Sequence, residues 1–280
     1  MIVCKSPAEI ERMRAANELV AAVLTELQGM IRAGVSTGDL DAAAEAKIVG
    51  AGATPAFKGY HGYPATLCVS INDEVIHGIP SPRRVLADGD VVSVDVGAVL
   101  DGFVGDSAVT FPVGPISEQA ALLLKVTQQS LYRAILAVKP GARVSDIGHA
   151  VQRHVEAHGC SVVREFVGHG IGTAMHEEPQ VPNYGPPGRG PRLTEGMVLA
   201  IEPMVNLGRP GVRVLEDGWT AVTRDHSLSA HFEHTVAVAE DGPYVLTARG
   251  DERFDEVLAS AGLAAPDGVE ARWRKRTRLK

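Results

Sequence analysis

The sequence predicts an α+β fold made of two related halves, each two helices followed by strands, around a central antiparallel sheet. Three observations lead there. Helix and strand signals run in the same order twice, with the join near residue 115. Leu86-Ala87-Asp88-Gly89-Asp90-Val91-Val92-Ser93-Val94-Asp95 aligns without gaps on Leu193-Thr194-Glu195-Gly196-Met197-Val198-Leu199-Ala200-Ile201-Glu202. Two weaker matches keep the same order: Val35-Ser36 and Asp39-Leu40 with Val144-Ser145-Asp146-Ile147, and Asp106-Ser107-Ala108-Val109 with Glu233-His234-Thr235-Val236. Acid-Gly-x-Val can recur wherever a turn opens a strand, but ordered matches point to an internal duplication.

The elements follow in order. Ser6-Pro7-Ala8-Glu9 reads as a helix start, with Ser6 as N-cap, Pro7 at the first helical position and Glu9 closing a capping box. Apolar residues at helical spacing continue to about residue 32, before Gly34. A second helix is expected over 37–49, then strands over 66–71, 91–96 and 103–111. The second half offers a helix over 118–138, stopped by Pro140-Gly141, another over 145–157, and further strands. Residues 1–248 make one domain with halves of about 6–115 and 116–248, and 249–280 form a C-terminal extension with a basic end.

Composition excludes several classes. Hydrophobic content of 45% and charged content of 22% are those of a soluble globular protein. Met1-Ile2-Val3-Cys4-Lys5 lacks the charged-then-apolar layout of a signal peptide. No apolar run approaches the ~20 residues that span a bilayer, so a cytoplasmic protein with no membrane partner is expected. Cys4, Cys68 and Cys160 are too few and too scattered for a disulfide framework or a metal knuckle. Arg272, Arg274, Lys275, Arg276, Arg278 and Lys280 crowd the last ten residues; removing those six charges from the net −7 leaves −13 over residues 1–270. An acidic body argues against sequence-specific nucleic-acid binding. The tail has the charge to touch RNA or an acidic partner, which would allow ribosome association, and is read here as a solvated end.

Acids at strand ends carry the chemistry. Strand alternation puts Val91, Ser93 and Asp95 on one face, and the Asp101-Gly102 turn returns a strand bearing Asp106, expected nearly opposite Asp95. Cross-strand Cβ atoms ~4.5–5.5 Å apart let two carboxylates share a cation. Glu202 ends the apolar run 198–201, and Glu233 lies in His231-Phe232-Glu233-His234. Any one of these acids could simply end a strand in solvent. If the halves pack about a pseudo-twofold axis, however, all four converge, and like charges held together require cations. His169 sits in Gly168-His169-Gly170-Ile171-Gly172, where missing side chains leave room for an imidazole to reach a crowded site. His77 and His176 stand in comparable settings, His77-Gly78-Ile79-Pro80 and His176-Glu177-Glu178-Pro179. One imidazole and four carboxylates suit Mn, Fe, Co or Zn, and bridging carboxylates can hold two ions ~3.5–4 Å apart.

Taken together, these segments resemble type I methionine aminopeptidases, of the creatinase/aminopeptidase group, over roughly residues 5–248. The resemblance is carried by Ser70-Ile71-Asn72-Asp73-Glu74-Val75-Ile76-His77-Gly78-Ile79-Pro80, the runs around Asp95 and Asp106, Gly168-His169-Gly170-Ile171-Gly172, Ile201-Glu202-Pro203-Met204-Val205-Asn206 and Glu233-His234-Thr235. It implies the pita-bread fold and removal of the initiator methionine from nascent peptide N-termini by a monomer, favouring small second residues. It also implies two divalent metal ions held by Asp95, Asp106, His169, Glu202 and Glu233, with Asp106 and Glu233 bridging. His77 would contact substrate, His176 would stabilise oxygen charge, and Glu202 would exchange protons. Tyr60, Tyr63, Cys68 and Trp219 would wall the methionine pocket, although on sequence alone such aromatics also read as ordinary core.

Three positions depart from the family pattern: Phe57 where a smaller residue is usual, Met175 for a common Phe, and His231 for a common Gln. They touch pocket shape and leave the ligands intact. Prolidases and aminopeptidases P share the ligand set but usually carry an extra N-terminal domain. Type II enzymes carry an insertion in the second half, whereas residues 170–201 read as a Pro/Gly-rich loop plus one strand. A binding protein built on the fold would be expected to have lost ligands.

Overall fold

The computed structural model describes residues 1–263; residues 264–280, with the basic end, lie outside the described residues. The first half begins with α1 (Pro7–Met30) and α2 (Thr37–Gly50). At α1 the Ser6 hydroxyl accepts from the Glu9 amide, while the Glu9 carboxylate accepts from the Ser6 amide at 2.8 Å. The helix stops short of the expected residue 32, because Ile31 turns extended and Gly34, at φ +89°, sends its amide to Leu86 O at 2.9 Å. Strands β1 (Thr54–Pro55), β2 (Leu67–Ile71), β3 (Glu74–Ile76), β4 (Val91–Leu100) and β5 (Phe103–Pro112) complete this half.

The second half opens with α3 (Glu118–Leu136) and α4 (Val144–Ala157). Strands β6 (Ser161–Val162), β7 (Gly168–Gly170), β8 (Glu177–Val181), β9 (Val198–Ile201) and β10 (Met204–Asn206) follow. Then come β11 (Val212–Val214), β12 (Ala221–Thr223), β13 (Ser229–His231), β14 (His234–Ala239), β15 (Gly242–Val245) and a short helix α5 (Phe254–Ser260). One antiparallel sheet runs β1-β4-β2 with β5 on β4, and another runs β15-β14-β9-β7-β8. Two small three-stranded sheets, β13-β10-β6 and β11-β12-β3, flank them.

The duplication is visible in hydrogen bonds. Gly34 N donates to Leu86 O and Leu86 N to Val35 O; Gly141 N donates to Leu193 O and Leu193 N to Ala142 O. Ser36 bridges Val85 as Arg143 bridges Arg192. Every pair, with Asp95 and Glu202, stands at one constant sequence offset. The expected Ser36–Ser145 match is corrected by this register: the residue equivalent to Ser36 is Arg143. What the two caps share is the acid, since Asp39 accepts from the Ser36 amide and Asp146 from the Arg143 amide.

Strand alternation sorts side chains between core and site. Val92, Val94, Val96 and Ala98 enter a large core with Val20, Leu24, Leu27, Leu123 and Ile135 from the helices. Ser93, Asp95 and Gly97 take the opposite face of β4. Helix α1 crosses β5 so closely that a Cβ on Gly105 would lie 2.8 Å from Ala16 backbone atoms, a packing only glycine allows. The two halves join where β5 meets the start of β14: Glu233 N donates to Ala108 O at 2.8 Å, Ser107 Oγ to Glu233 O at 2.6 Å and Thr235 Oγ1 to Asp106 O at 2.8 Å. Both metal-ligand candidates at this seam therefore hang on backbone that the opposite half holds in place.

Candidate metal centre

The hairpin places the first pair of acids. Leu100 pairs with Phe103 around the Asp101-Gly102 turn, so Asp95 pairs with Ala108 and Asp106 with Gly97. Asp95 and Asp106 are diagonal neighbours on one face, which corrects the expectation that they stand nearly opposite. A diagonal separation is longer, with Cα atoms ~7–8 Å apart, and leaves more room for cations between the carboxylates. The second pair comes from the other sheet. His234 pairs with Ile201 at the end of the β9–β14 ladder, so Glu202 and Glu233 lie side by side one residue beyond it. His169 on β7 pairs with Ala200, which brings its ring beside Glu202.

The resulting cluster lacks a compensating charge. Asp106 and Glu233 are buried and Asp95 and Glu202 half-buried, yet among the described residues no Lys or Arg pairs with any of them. Oδ1 of Asp95, Oδ1 of Asp106 and Oε1 of Glu233 are buried without a hydrogen-bond partner among the described residues. Burial pushes the Asp95 carboxyl up to about 7. Asp106, Glu202 and Glu233 are raised well above the usual carboxylate range, first by burial and then by each other's charge. An apolar replacement would be cheaper than four such groups unless something cationic holds them. The donor set fits a divalent metal ion.

His169 is prepared as a ligand. Its Nδ1 donates to Gly170 O at 2.9 Å, which leaves the Nε2 lone pair free. Nε2 lies 3.5 Å from Glu202 Oε1 and 3.9 Å from Asp106 Oδ2. Burial holds its pKa down to about 4, so the ring is neutral at physiological pH. Ligand atoms of Asp106, His169 and Glu233 all lie within 4.8 Å of one another.

All eleven ligand, catalytic and pocket residues expected from the sequence line one cavity: the four acids, His169, His77, His176, Tyr60, Tyr63, Cys68 and Trp219. His77 holds φ +60°, an uncommon conformation for a side-chain-bearing residue. Its ring stands edge-on to Phe166 and Trp219 at 5.7 and 6.3 Å between centroids, and burial lowers its pKa to about 4. His176 Nδ1 meets the Tyr60 hydroxyl at 2.7 Å, and its ring lies 4.3 Å from that of His169. Tyr63 donates to Leu67 O and Gly78 O and packs edge-on to Trp219 at 5.1 Å. Cys68 pairs with Asp95 across β2 and β4; burial raises its thiol pKa, which makes it a wall rather than a nucleophile. Phe57, Met175 and His61 also line the cavity. The sequence signal for His61 is its place inside Tyr60-His61-Gly62-Tyr63, between two pocket tyrosines. His231, buried, keeps an unpartnered Nε2 3.8 Å from Glu202 Oε2.

Comparisons with known proteins agree with this geometry. The description "Metallopeptidase family M24" matches residues 11–240. A protein named methionine aminopeptidase from Clostridium acetobutylicum is 53% identical over 247 residues, covering 88% of this chain and 99% of that one. The solved structure of a methionine aminopeptidase from Thermotoga maritima superposes with a TM-score of 0.88 at 48% identity, over 89% of this chain and 100% of the other. A prolidase from Pyrococcus horikoshii superposes at 0.71 with 24% identity, covering 90% of this chain and 65% of the prolidase; that likeness shows the fold alone. The pita-bread architecture expected from the sequence is borne out.

Proposed function

The chain belongs to metallopeptidase family M24, and from that premise we infer that it is a metal-dependent methionyl aminopeptidase, a hydrolase that removes the N-terminal methionine of nascent polypeptides. One observation carries the reading: buried carboxylates and a neutral imidazole, without a cationic partner among the described residues, form the floor of a cavity walled by aromatic and sulfur-bearing side chains.

Two divalent ions would be held by Asp95, Asp106, His169, Glu202 and Glu233, with Asp106 and Glu233 bridging; the donor set accepts Co, Mn, Fe or Zn. When bound, the ions supply the acidity that readies a water at neutral pH and the positive charge that polarises the scissile carbonyl. Glu202 takes the proton of the attacking water and returns it to the leaving amine. His176, with Nδ1 engaged by Tyr60, offers its other nitrogen to developing oxygen charge. His77, kept neutral by burial, contacts the substrate beside the scissile amide. Tyr60, Tyr63, Cys68 and Trp219 form the methionine pocket, whose polarisable, flexible guest suits mixed aromatic and sulfur walls.

The same proposal takes residues 1–248 as the catalytic domain. It has the enzyme act as a cytoplasmic monomer on chain ends, with ribosome association to be tested by cosedimentation. Small second residues are favoured because the site closes around the scissile bond. The deciding experiment is methionine release from Met-Ala-Ser and Met-Lys-Ser by metal-stripped protein, with Co, Mn, Fe or Zn returned, beside Asp106→Ala. Metal-restored release from Met-Ala-Ser, absent in the variant, is expected. No release with any metal, from demonstrably folded protein, would sink the reading; equal cleavage of both peptides would sink the size preference.

A further inference from the structure

The chain past residue 248, outside the segment matched by the family, returns to the back of the metal centre. Arg249, Glu252, Phe254 and Leu258 are all buried. The Glu252 carboxylate gathers three donors at one oxygen: Tyr132 Oη at 3.1 Å, His234 Nε2 at 3.0 Å and Arg249 Nη2 at 2.9 Å. Its other oxygen accepts from the Arg249 amide at 2.8 Å. The His234 ring is 1% exposed, lies nearly parallel to Tyr132 at 6.2 Å between centroids and meets Phe254 at 5.9 Å. Its Nδ1 meets Thr247 Oγ1 at 2.9 Å, and that hydroxyl also accepts from the Thr235 amide at 3.1 Å. Because a carboxylate only accepts, Nε2 donates to Glu252, and the ring is tied at both nitrogens.

This network ends on the backbone of two candidate ligands. His234 follows Glu233 directly, and Thr235 Oγ1 donates to Asp106 O at 2.8 Å. We propose that Glu252 is a positioning residue for the metal centre: it locks the His234 ring and, through His234, Thr247 and Thr235, fixes the strands that present Asp106 and Glu233. A buried carboxylate satisfied by three side chains from separate segments is a poor choice for mere packing, where an apolar group of the same volume would serve. It suits a site whose ligands must be held to a fraction of an ångström, because groups that brace ligands typically change metal affinity or activity by ~10–100-fold when removed. The proposal rests on the reading of Asp106 and Glu233 as metal ligands.

The test uses the full chain, stripped of metal and titrated with Co(II), with affinity read by calorimetry and ligand geometry by the Co(II) absorption bands. Glu252→Gln, which keeps the shape and removes the charge, should weaken Co(II) binding about tenfold, shift the bands and lower kcat for Met-Ala-Ser at unchanged KM. Leu258→Ala, which only empties a packing position in α5, should lower Tm and leave affinity, bands and kcat alone. If Glu252→Gln does not fold, Thr247→Val breaks the same network from its other end and should weaken binding likewise, with Thr247→Ser restoring it. Unchanged affinity and bands in a folded Glu252→Gln protein would overturn the proposal, as would an equal shift in Leu258→Ala. Failure of the unsubstituted protein to bind Co(II), or equal binding by Asp106→Ala, would instead remove the ligand reading itself, and this proposal with it.

Discussion

Asp106 stands directly opposite Gly97 across the β4–β5 hairpin, and the missing side chain at Gly97 is what lets the pocket wall close over the acids. A Cβ there would lie 2.7 Å from Phe57 Cε1 and 3.0 Å from both Ala56 Cβ and Met175 Cε. Phe57 and Met175 line the cavity. Gly97→Ala must therefore push the wall outward or into the space for the methionine side chain. KM for Met-Ala-Ser should rise roughly tenfold, the equivalent of ~1.4 kcal/mol of lost binding, with a smaller change in kcat. Steady-state kinetics at saturating metal measures this, and an unchanged KM refutes the steric account.

Metal-free protein should lose stability as pH rises. The Asp95 carboxyl has its folded pKa raised from 3.8 to about 7, and Asp106, Glu202 and Glu233 are raised too. Below pH ~4 these groups are protonated in both states, and no penalty separates folded from unfolded. Between there and about pH 7 the unfolded chain releases the Asp95 proton while the folded one keeps it, so stability falls. The buried neutral histidines, His77 and His169 among them, act in the opposite direction up to about pH 6.5, so the Tm of EDTA-treated protein should be higher at pH 6.5 than at pH 7.5, and Mn should raise Tm more at the higher pH. A Tm that climbs toward pH 7.5 without metal contradicts the buried-acid argument.

Tyr60 and His176 form a pair whose loss should appear in turnover. The phenol hydroxyl holds Nδ1 of an imidazole that burial keeps neutral. Tyr60→Phe retains the ring against the pocket and removes one hydrogen bond worth about 1 kcal/mol, so kcat should drop roughly fivefold. His176→Ala should cost on the order of 10²–10³ in kcat, as loss of a donor to developing oxygen charge does. Equal kcat for Tyr60→Phe and the unsubstituted protein means that the hydroxyl plays no part in orienting the ring.

The site was legible in the sequence because duplication set Asp95 against Glu202 and Asp106 against Glu233, and because Gly168 and Gly170 announce a crowded neighbour for His169. Gly170 bears this out in space: a Cβ there would lie 2.3 Å from Glu178 O. The register of the Asp95–Asp106 hairpin was legible too, but only by counting outward from Asp101 and Gly102, whose positive φ values, 50° and 79°, make a tight two-residue turn. The braces were not legible. Lys5 with Glu177 and Glu252 with Tyr132 join segments far apart in sequence, and neither carries periodicity or turn chemistry that names its partner. Arg143 at the start of α4 hid one helix cap for a related reason, since the Asp146 carboxylate does the bonding that a Ser or Asp at the N-cap would normally share.

Lys5 offers the sharpest test of how the N-terminal segment serves the site. Its Nζ donates to Glu177 Oε2 at 2.5 Å and to Val3 O at 3.2 Å, and its amide reaches Gly196 O at 2.7 Å. The two charged side chains are only 4% and 13% exposed, so solvent screens the pair weakly. Glu177 Oε1 meanwhile accepts from the amides of Thr173 and Ala174, in the turn that leads to Met175 and His176. Gly172 has no room for a side chain, because its Cβ would lie 2.4 Å from Lys5 Cε. Lys5→Ala leaves Glu177 as an uncompensated, largely buried anion and should destabilise the protein by about 3 kcal/mol. Lys5→Met keeps most of the apolar stem and should cost nearly as much, since the charge is what is missing. Hydrogen exchange at the Thr173 and Ala174 amides should accelerate in both variants, and kcat should fall because His176 loses its fixed approach. Urea midpoints that stay put, with unchanged exchange at those amides, would show that Gly196 and the α1 cap hold the segment without the ion pair.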